Sequence, residues 1–406
     1  MQHAECAGRF RALDGLRGLF AVAVAGLHCS VYGYFYDLPL LRSAYLAVDF
    51  FFVLSGFVIA HATTTRLDSA RSLWSFVVRR FGRVWPLHVV VLACFVTLEL
   101  LKWLAVARGA QAHSMPFGTP DEDPLAIPAH LLLVHALHLF SSNTWNIPSW
   151  SISTEFYTYL LFGLCALTLR RWLVAVSLVL IVLSAWVLFR QVATMDTTYD
   201  WALPRCVYGF FVGYLVYRVS RRLPAPHAAG SLFELVLLIA TALFMTHAAR
   251  TQLSLLAPIV FAVPIWYFAF ERGVVSRVLL SAPLQALGKW SYAIYLVHAL
   301  VFMLVMRGFR ALSRLLHADL FLVDDWSSLH GDSIVLLSFG QRWWMDVVAA
   351  LAVALAVGLA YLANRFVEQP AQAYFQRLAK ALETRPARRG RSQAPVLVAP
   401  ARESTP

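Results

Sequence analysis

The segment "LDGLRGLFAVAVAGLHCS" at residues 13–30 is apolar enough to enter a membrane, yet it carries three ionisable side chains, Asp14, Arg17 and His28. A charged side chain costs at least about 2.5 kcal/mol at the bilayer centre, so such residues usually face a protein interior or a water-filled cavity. In an α-helix Arg17 and His28 differ by about 20° in azimuth and about 16 Å along the axis, and Asp14 lies on the same face. The segment therefore predicts a membrane helix with an inward charged face, which favours a substrate path or catalytic site. The alternative is a structural Asp14–Arg17 pair beside a satisfied core histidine.

The composition of the whole chain also indicates a membrane protein. Of its 406 residues 60% are hydrophobic and 14% are charged, with a mean hydropathy of +0.65, whereas soluble domains hold about 45–50% apolar and about 25% charged residues. The predicted fold is an all-α polytopic bundle of about ten transmembrane helices. The apolar runs long enough to cross about 30 Å of hydrocarbon lie at 13–33, 45–62, 84–107, 147–169, 172–189, 203–218, 231–248, 253–270, 290–307 and 344–366. A shorter run, 125–140, holds His130, His135 and His138 and is interpreted as interfacial or re-entrant.

The distribution of basic residues predicts the orientation of this bundle. With the N-terminus inside, the cytoplasmic segments hold 23 of the 34 Lys and Arg residues, the outside loops hold 8, and the remaining 3 lie within spans. By the positive-inside rule both termini are cytoplasmic, so the net charge of +12 reflects orientation rather than nucleic-acid binding. We expect a multi-pass protein with a transmembrane domain at 1–378 and a disordered basic cytoplasmic tail at 379–406.

A pair of arginines begins the third run. In "RRFGRVWP" at residues 79–86, Arg80 and Arg83 are three apart and therefore neighbours on a helix surface. An ordinary positive-inside stop is one interpretation. Because Arg17 lies at the same membrane level, the three guanidinium groups are also candidates for a phosphate-binding cluster.

A carboxylate opens the fourth run from the outside. In "NIPSWSISTEFYTYLLF" at 146–162, Glu155 lies about 8 Å below the level of Trp150, an interfacial anchor. At that depth it approaches His28 from the opposite side, and a Glu155–His28 contact would orient an imidazole for general-base catalysis. Ser153 beside it is a candidate substrate contact. The alternative is a carboxylate that serves only as a hydrogen-bond partner between helices.

The ninth run carries a further polar face. In "GKWSYAIYLVH" at 288–298, Tyr292, Tyr295 and His298 are spaced by three and share one broad side of a helix. Aromatic packing is an alternative explanation for the tyrosines, and His298 is either a core residue or a substrate contact. Asp14, Ser153, Tyr292 and His298 are the candidate substrate-binding residues.

Six segments in this order resemble the bacterial membrane acyltransferases of acyltransferase family 3. The matching segments are "LDGLRGL…H" at 13–28, "VDFFFVLSGFVI" at 48–59, "RRFGRVWP" at 79–86, "SWSISTEF" at 149–156, "LGKWSYAIYLVH" at 287–298 and "FVEQP" at 366–370. The resemblance covers about residues 9–378. It implies a ten-helix bundle with cytoplasmic ends that transfers an acyl group, usually acetyl from acetyl-CoA, to sugar hydroxyls. Many members have a second glutamate where this chain has Phe156, and many polysaccharide-modifying members carry an esterase-like domain for which this sequence shows no counterpart.

The resemblance also implies roles for particular residues. His28 matches the catalytic histidine, Arg17 the motif arginine, Arg80 and Arg83 the arginine pair, and Glu155 the carboxylate. The expected partners are therefore an acyl-CoA donor bound at the arginines, a carbohydrate or lipid-linked glycan acceptor, and membrane lipid. His28 would act as general base or as transient acyl carrier, and the residues leave these two routes open.

Two further expectations complete the sequence-based prediction. No metal site is indicated, since the five cysteines are scattered without a Cys-x-x-Cys pair. A proton-coupled secondary transporter is the rival function, because intramembrane His, Glu and Asp residues also form proton relays. The sequence lacks the two-half repeat and the matched broken spans that are typical of many transporters.

Overall fold

Helices account for most of the structure. The computed structural model describes residues 10–63, 67–111, 114–223, 230–324 and 334–384. The helices are α1 (Arg11–Leu27), α2 (Pro39–Arg42), α3 (Ala47–Thr63), α4 (Ala70–Ala107), α5 (Ala126–Leu131), α6 (Trp150–Thr168), α7 (Leu173–Gln191), α8 (Ala202–Ser220), α9 (Ser231–Ala248), α10 (Ala257–Phe268), α11 (Val274–Leu279), α12 (Ala282–Leu316), α13 (Arg342–Ala363) and α14 (Gln369–Thr384). Two antiparallel strands, β1 (Phe321–Asp324) and β2 (Ile334–Leu337), pair with Phe321 opposite Leu337.

The prediction of a mostly helical protein with several long apolar helices is confirmed. Each of the ten predicted apolar runs falls largely on a helix, and six helical stretches among the described residues are long and apolar enough to cross a membrane. These are Ala44–Thr63, Ala70–Ala107, Arg170–Gln191, Ser231–Ala248, Ala282–Leu316 and Arg342–Thr384. Four of the ten predicted runs lie on helices outside this group of six. Of these helices, α1 and α10 are shorter, with 17 and 12 residues, and α6 and α8 carry more polar side chains than the six. The number of spans therefore stays a prediction.

The charged helix α1 packs closely on α12. A Cβ atom at Gly18 would lie 2.5 Å from the backbone nitrogen of Gly288, and one at Gly288 would lie 2.2 Å from the backbone oxygen of Asp14. Small residues at a helix crossing let two backbones approach in this way. The close crossing brings the Arg17 face of α1 directly against α12.

A buried ion pair joins α3 to α8. Arg205 donates from Nε and Nη2 to the two carboxylate oxygens of Asp49, at 2.9 and 2.8 Å, and both side chains are almost fully buried. The guanidinium also lies 5.0 Å from the centre of the Trp150 ring. This bidentate pair ties the start of α6 to the α3–α8 packing, and so helps to position the first turns of α6.

The run 125–140 does not form a spanning helix. It contains the six-residue α5 and continues as an irregular segment in which Leu133 and His138 have positive φ angles. Its backbone contacts α4 and α6: Trp85 donates to the Leu131 carbonyl and Ser153 to the Leu133 carbonyl. The short helix therefore covers one side of the α4–α6 pair.

The C-terminal helix extends past the predicted domain boundary at 378. A π-helical turn, Asn364–Glu368, joins α13 to α14, which runs to Thr384. The helix continues because it packs on the first turns of α4, where Ser75 and Arg79 donate to Glu383 at 2.6 and 2.9 Å. The remainder of the predicted tail, 385–406, lies outside the described residues.

Candidate active site

An internal cavity of about 160 Å³ gathers the three predicted arginines. We call it the arginine cavity; it lies between α1, α3, α4, α6 and α12. Its polar lining residues are Arg17, Ser55, Arg80, Arg83, Ser151, Glu155, Tyr159, Ser291, Tyr292 and Tyr295. We call the end of the bundle at which α1 begins the inner end and the opposite one the outer end. The predicted cluster of Arg17, Arg80 and Arg83 is thus brought together by two helices, α1 for Arg17 and α4 for the other two.

Arg17 is held in place by α12. Its Nε donates to Ser291 Oγ and its Nη2 to the Gly288 carbonyl, both at 2.8 Å, while Asp14 pairs with it at 3.2 Å. The close α1–α12 crossing makes these bonds possible. Asp14, predicted as a substrate contact, is therefore a partner of Arg17 in the structure.

Arg80 and Arg83 differ in their surroundings although they are one helical turn apart. Arg83 pairs with the buried carboxylate of Glu368, and its guanidinium lies 5.2 Å from the centre of the Tyr292 ring. Arg80 faces the rings of Phe76 and Tyr159 at 5.8 and 6.0 Å, and its buried Nε has no hydrogen-bond partner among the described residues. A buried polar atom without a partner is unfavourable, so the half-buried Arg80 retains capacity to bind an anion, although the Glu155 carboxylate lines the same cavity.

Glu155 lies in the arginine cavity and not beside His28. Its carboxylate accepts hydrogen bonds from Ser55 of α3 and Tyr159 of α6. The predicted Glu155–His28 contact is wrong. The rotation of α6 turns Glu155 toward α3 and α4, whereas His28 follows the last residue of α1 at the outer end and lines a different cavity. Depth along each helix was a poor guide here, because it says nothing of how two helices are rotated relative to each other.

His28 lines a second cavity, of about 440 Å³, at the outer end. We call it the histidine cavity; its charged and histidine lining residues are His28, Asp37, Arg42, Asp196, Arg205, His247 and Arg250. Tyr295 and Val48 line both this cavity and the arginine cavity. The hydroxyl groups of Tyr295 and Ser151 lie 3.0 Å apart. Tyr295, which the sequence left as a packing aromatic, thus stands at the boundary between the two cavities.

His298 lies directly behind His28. His298 Nδ1 is 3.0 Å from the Ile294 carbonyl, which can only accept, so this nitrogen carries a hydrogen and Nε2 of the neutral ring carries a lone pair. That Nε2 is 3.3 Å from His28 Nδ1, which is also 2.9 Å from the Val24 carbonyl. Both neighbours of His28 Nδ1 are acceptors, so Nδ1 carries the hydrogen and the Nε2 lone pair of His28 is available as a base. His298 is fully buried and contacts the catalytic candidate.

Of the two other predicted substrate contacts, Tyr292 lines a cavity and Ser153 does not. Tyr292 lines the arginine cavity, with its ring near Arg83 and its hydroxyl donating to the Val84 carbonyl. Ser153 lines neither cavity. It is fully buried, and its hydroxyl donates to the Leu133 carbonyl at 2.5 Å and accepts from the Ala136 backbone at 3.3 Å. The α6 face that reaches a cavity is the one with Ser151 and Glu155.

Sequence reasoning missed the counter-ion of Arg83. Glu368 belongs to the "FVEQP" segment, and it accepts hydrogen bonds from Asn364 and Gln372, at 2.7 and 2.9 Å, besides its pair with Arg83. A carboxylate next to the end of the last apolar run is a usable signal. The 285 residues that separate Glu368 from Arg83 left no indication of this pairing.

Comparison with known proteins gives matches along most of the chain. The family model described as an acyltransferase domain matches residues 10–363. The acyltransferase MdmB of Streptomyces mycarofaciens is 26% identical over 391 residues, which cover 89% of this chain and 91% of that protein. The peptidoglycan O-acetyltransferase OatA of Listeria monocytogenes is 28% identical over 174 residues, 40% of this chain and 25% of that protein. A Rhizobium radiobacter protein, called protein 2 in the picA locus, is 43% identical over 86 residues, 21% of this chain and 43% of that protein. No solved structure matches the chain at a significant level.

Proposed function

The chain belongs to acyltransferase family 3 and is an acyltransferase, and from this premise we propose that it transfers an acetyl group from acetyl-CoA to a hydroxyl of a carbohydrate or glycan acceptor. The observation that carries the proposal is the arginine cavity at one end of α1 together with His28 at the other end. The similarity to OatA, which is named as a peptidoglycan O-acetyltransferase, supports a glycan of the cell envelope as acceptor.

We propose further that the protein crosses a cell membrane with ten helices and that both termini are cytoplasmic. The excess of Lys and Arg in the segments that join the inner ends of the helices supports this orientation. The inner end, with the arginine cavity, then faces the compartment that contains acyl-CoA. The histidine cavity faces outward, toward the cell envelope.

The arginine cavity is the proposed site of the CoA phosphates. Arg80 provides a guanidinium whose Nε has no hydrogen-bond partner among the described residues, and Arg17 and Arg83 lie on the same cavity. Guanidinium groups bind phosphate oxygens with two parallel hydrogen bonds, which makes arginine well suited to this ligand. Glu155 becomes a positioning residue in this proposal, because it holds Tyr159, whose ring lies 6.0 Å from Arg80.

The acyl end of the donor would reach His28 past Tyr295. The helix rise places Arg17 and His28 about 16 Å apart along the α1 axis, a length of the order of an extended pantetheine arm. His28 Nε2 takes the proton of the acceptor hydroxyl, and the oxygen of that hydroxyl attacks the thioester carbonyl carbon. The C–S bond then breaks, and the leaving CoA sulfur takes the proton from His28. A covalent acyl-His28 intermediate is the second route.

The histidine cavity is the proposed acceptor site. Its lining combines Asp37, Asp196 and Thr198 with arginines, as well as the ring of Trp150. Charged and polar groups around an aromatic ring suit a polyhydroxylated ligand, because they can donate to and accept from its hydroxyl groups.

The test is acyl transfer by the purified chain in liposomes, with labelled acetyl-CoA and an envelope glycan extract. We expect alkali-labile label on the glycan and an equal amount of free CoA. His28→Ala should abolish both, while His317→Asn, an exposed site with positive φ at the end of α12, should change neither. Transfer by His28→Ala would remove the histidine from the mechanism, and proton-coupled solute flux without CoA release would favour a transporter.

A further inference from the structure

Three histidines from different segments meet beside the α4–α6 pair, outside the two cavities. His88 lies on α4, His130 on α5 and His135 on the irregular segment after it, and their side chains are 0%, 0% and 5% exposed. The rings of His130 and His135 are stacked with centres 3.7 Å apart, and the centre of the His88 ring is 5.5 Å from each. We call this group the histidine cluster.

In each of the three rings, Nε2 lies within hydrogen-bond distance of an oxygen atom of the described residues and Nδ1 does not. Nε2 of His88 is 3.1 Å from the His130 carbonyl, Nε2 of His130 is 2.8 Å from Thr144 Oγ1, and Nε2 of His135 is 3.1 Å from Ser149 Oγ. The Nδ1 atoms of all three rings are buried and have no hydrogen-bond partner among the described residues. One nitrogen from each ring lies within 4.8 Å of one from each of the others. The three rings are nearly parallel, with interplanar angles of 16°, 7° and 9°, so a shared ion requires rings to turn about their Cβ–Cγ bonds until their in-plane lone pairs point to one place.

Three unpartnered ring nitrogens in one buried place require an explanation. A buried polar atom without a partner costs about 1–3 kcal/mol, and such atoms are uncommon in native proteins. Burial of all three rings also favours the neutral imidazole, which is the form that ligates a metal. A neutral imidazole with one nitrogen fixed by an oxygen is the usual form of a histidine that ligates a metal through its other nitrogen.

We propose that the histidine cluster binds one divalent transition-metal ion, with Zn²⁺ as the ion that fits best, through Nδ1 of His88, His130 and His135. Three imidazole donors are an established zinc ligand set, and imidazole also suits Cu²⁺, Ni²⁺ and Fe²⁺. A tetrahedral ion would need a fourth ligand from outside the histidine cluster. This proposal departs from the sequence-based expectation of no metal site, which considered cysteine spacing and could not bring together His88 and His130, 42 residues apart.

The position of the ion indicates a structural role. It links α4, the helix of Arg80 and Arg83, to the segment 126–138, which contacts the start of α6 through Ser149 and Ser153. Metal binding would therefore hold fixed the corner of the bundle from which the arginine cavity is built. The inference depends on the histidine cluster alone and not on the proposed acyl transfer.

The test is metal analysis of the full chain, purified in detergent without a histidine tag. We expect about one bound zinc ion per chain by elemental analysis, and a melting temperature that falls on chelation and recovers when Zn²⁺ is added. His135→Gln should lose the metal and the response to Zn²⁺. His138→Ala, an exposed neighbour whose Nδ1 lies 3.2 Å from the Asp200 carbonyl, should keep both.

Two results would overturn the inference. One is wild-type protein with much less than one metal ion per chain whose melting temperature does not respond to Zn²⁺, Cu²⁺, Ni²⁺ or Fe²⁺. The other is equal loss of metal in His138→Ala and His135→Gln, which would locate the ion elsewhere. If His135→Gln fails to fold, the metal content and melting temperature of the wild-type protein still test the proposal. The absorption spectrum of wild-type protein loaded with Co²⁺ also reports imidazole ligation without a mutation.

Discussion

Replacing Arg80 by glutamine should weaken acyl-CoA binding and leave the fold intact. Arg80 Nε has no hydrogen-bond partner among the described residues, and the Glu155 carboxylate on the same cavity is hydrogen-bonded by Ser55 and Tyr159, so the substitution leaves no carboxylate without a partner. A hydrogen bond to a charged group contributes about 1.5–3 kcal/mol. At about 1.4 kcal/mol for each factor of ten, the loss of one such bond to phosphate raises the KM for acyl-CoA by about 10-fold to 100-fold.

The neighbouring arginines provide matched controls for this prediction. Arg79 pairs at 2.9 Å with Glu383, whose side chain is 43% exposed, so Arg79→Gln should change neither KM nor the melting temperature by much. Arg83 pairs with Glu368, whose side chain is 1% exposed. Arg83→Gln would leave that carboxylate buried without its partner, so it should lower the melting temperature as well as raise the KM.

The assay is the initial rate of label transfer at a series of acetyl-CoA concentrations, in membranes with equal amounts of each variant. Melting temperatures come from the same samples in detergent. An Arg80→Gln enzyme whose KM equals that of Arg79→Gln would refute the assignment of the arginine cavity to the CoA phosphates. A large loss of stability in Arg80→Gln would refute the claim that this substitution leaves no carboxylate without a partner.

Substitutions in three other places test the His28–His298 contact, the buried ion pair and the α1–α12 crossing. His298→Ala should lower kcat by about tenfold, the value of one hydrogen bond, with the KM for acyl-CoA unchanged. His298→Gln should recover part of that loss because its amide oxygen can accept the hydrogen bond from His28 Nδ1. Equal activity of wild type and His298→Ala would show that this hydrogen bond does not orient His28. Arg205→Met should destabilise the fold by about 3–5 kcal/mol because it leaves Asp49 buried and unpaired, and adding Asp49→Leu should restore much of the melting temperature; no recovery would contradict the pairing. Gly18→Ala should reduce folded protein in detergent, since its Cβ would lie 2.5 Å from the α12 backbone, and a normal yield would contradict the close crossing.

The sequence was informative wherever one helix could be treated alone. The common face of Asp14 and Arg17 follows from their three-residue spacing, and the structure has them paired at 3.2 Å. Charge and apolar runs likewise indicated that Arg17, Arg80 and Arg83 lie at one level, and the structure has them on one cavity. Helical periodicity fixes azimuth and rise along a single chain segment, which explains these agreements.

Contacts between helices could not be obtained in this way. Glu155 has about the expected place on α6, but the rotation of α6 turns it toward Ser55 and away from His28. The His28–His298 pair needs a distance between two helices that are 270 residues apart in the chain. The histidine cluster needs three such distances, and its irregular segment has no periodicity from which to derive them.

The most direct test of the central claim is a structure of the protein with a non-hydrolysable acyl-CoA analogue. The account predicts phosphates in contact with Arg80 at the inner end, a pantetheine arm that passes Tyr295, and the acyl carbonyl next to His28 Nε2. Phosphates bound in the histidine cavity, or an acyl group that stops on the inner side of Tyr295, would contradict it.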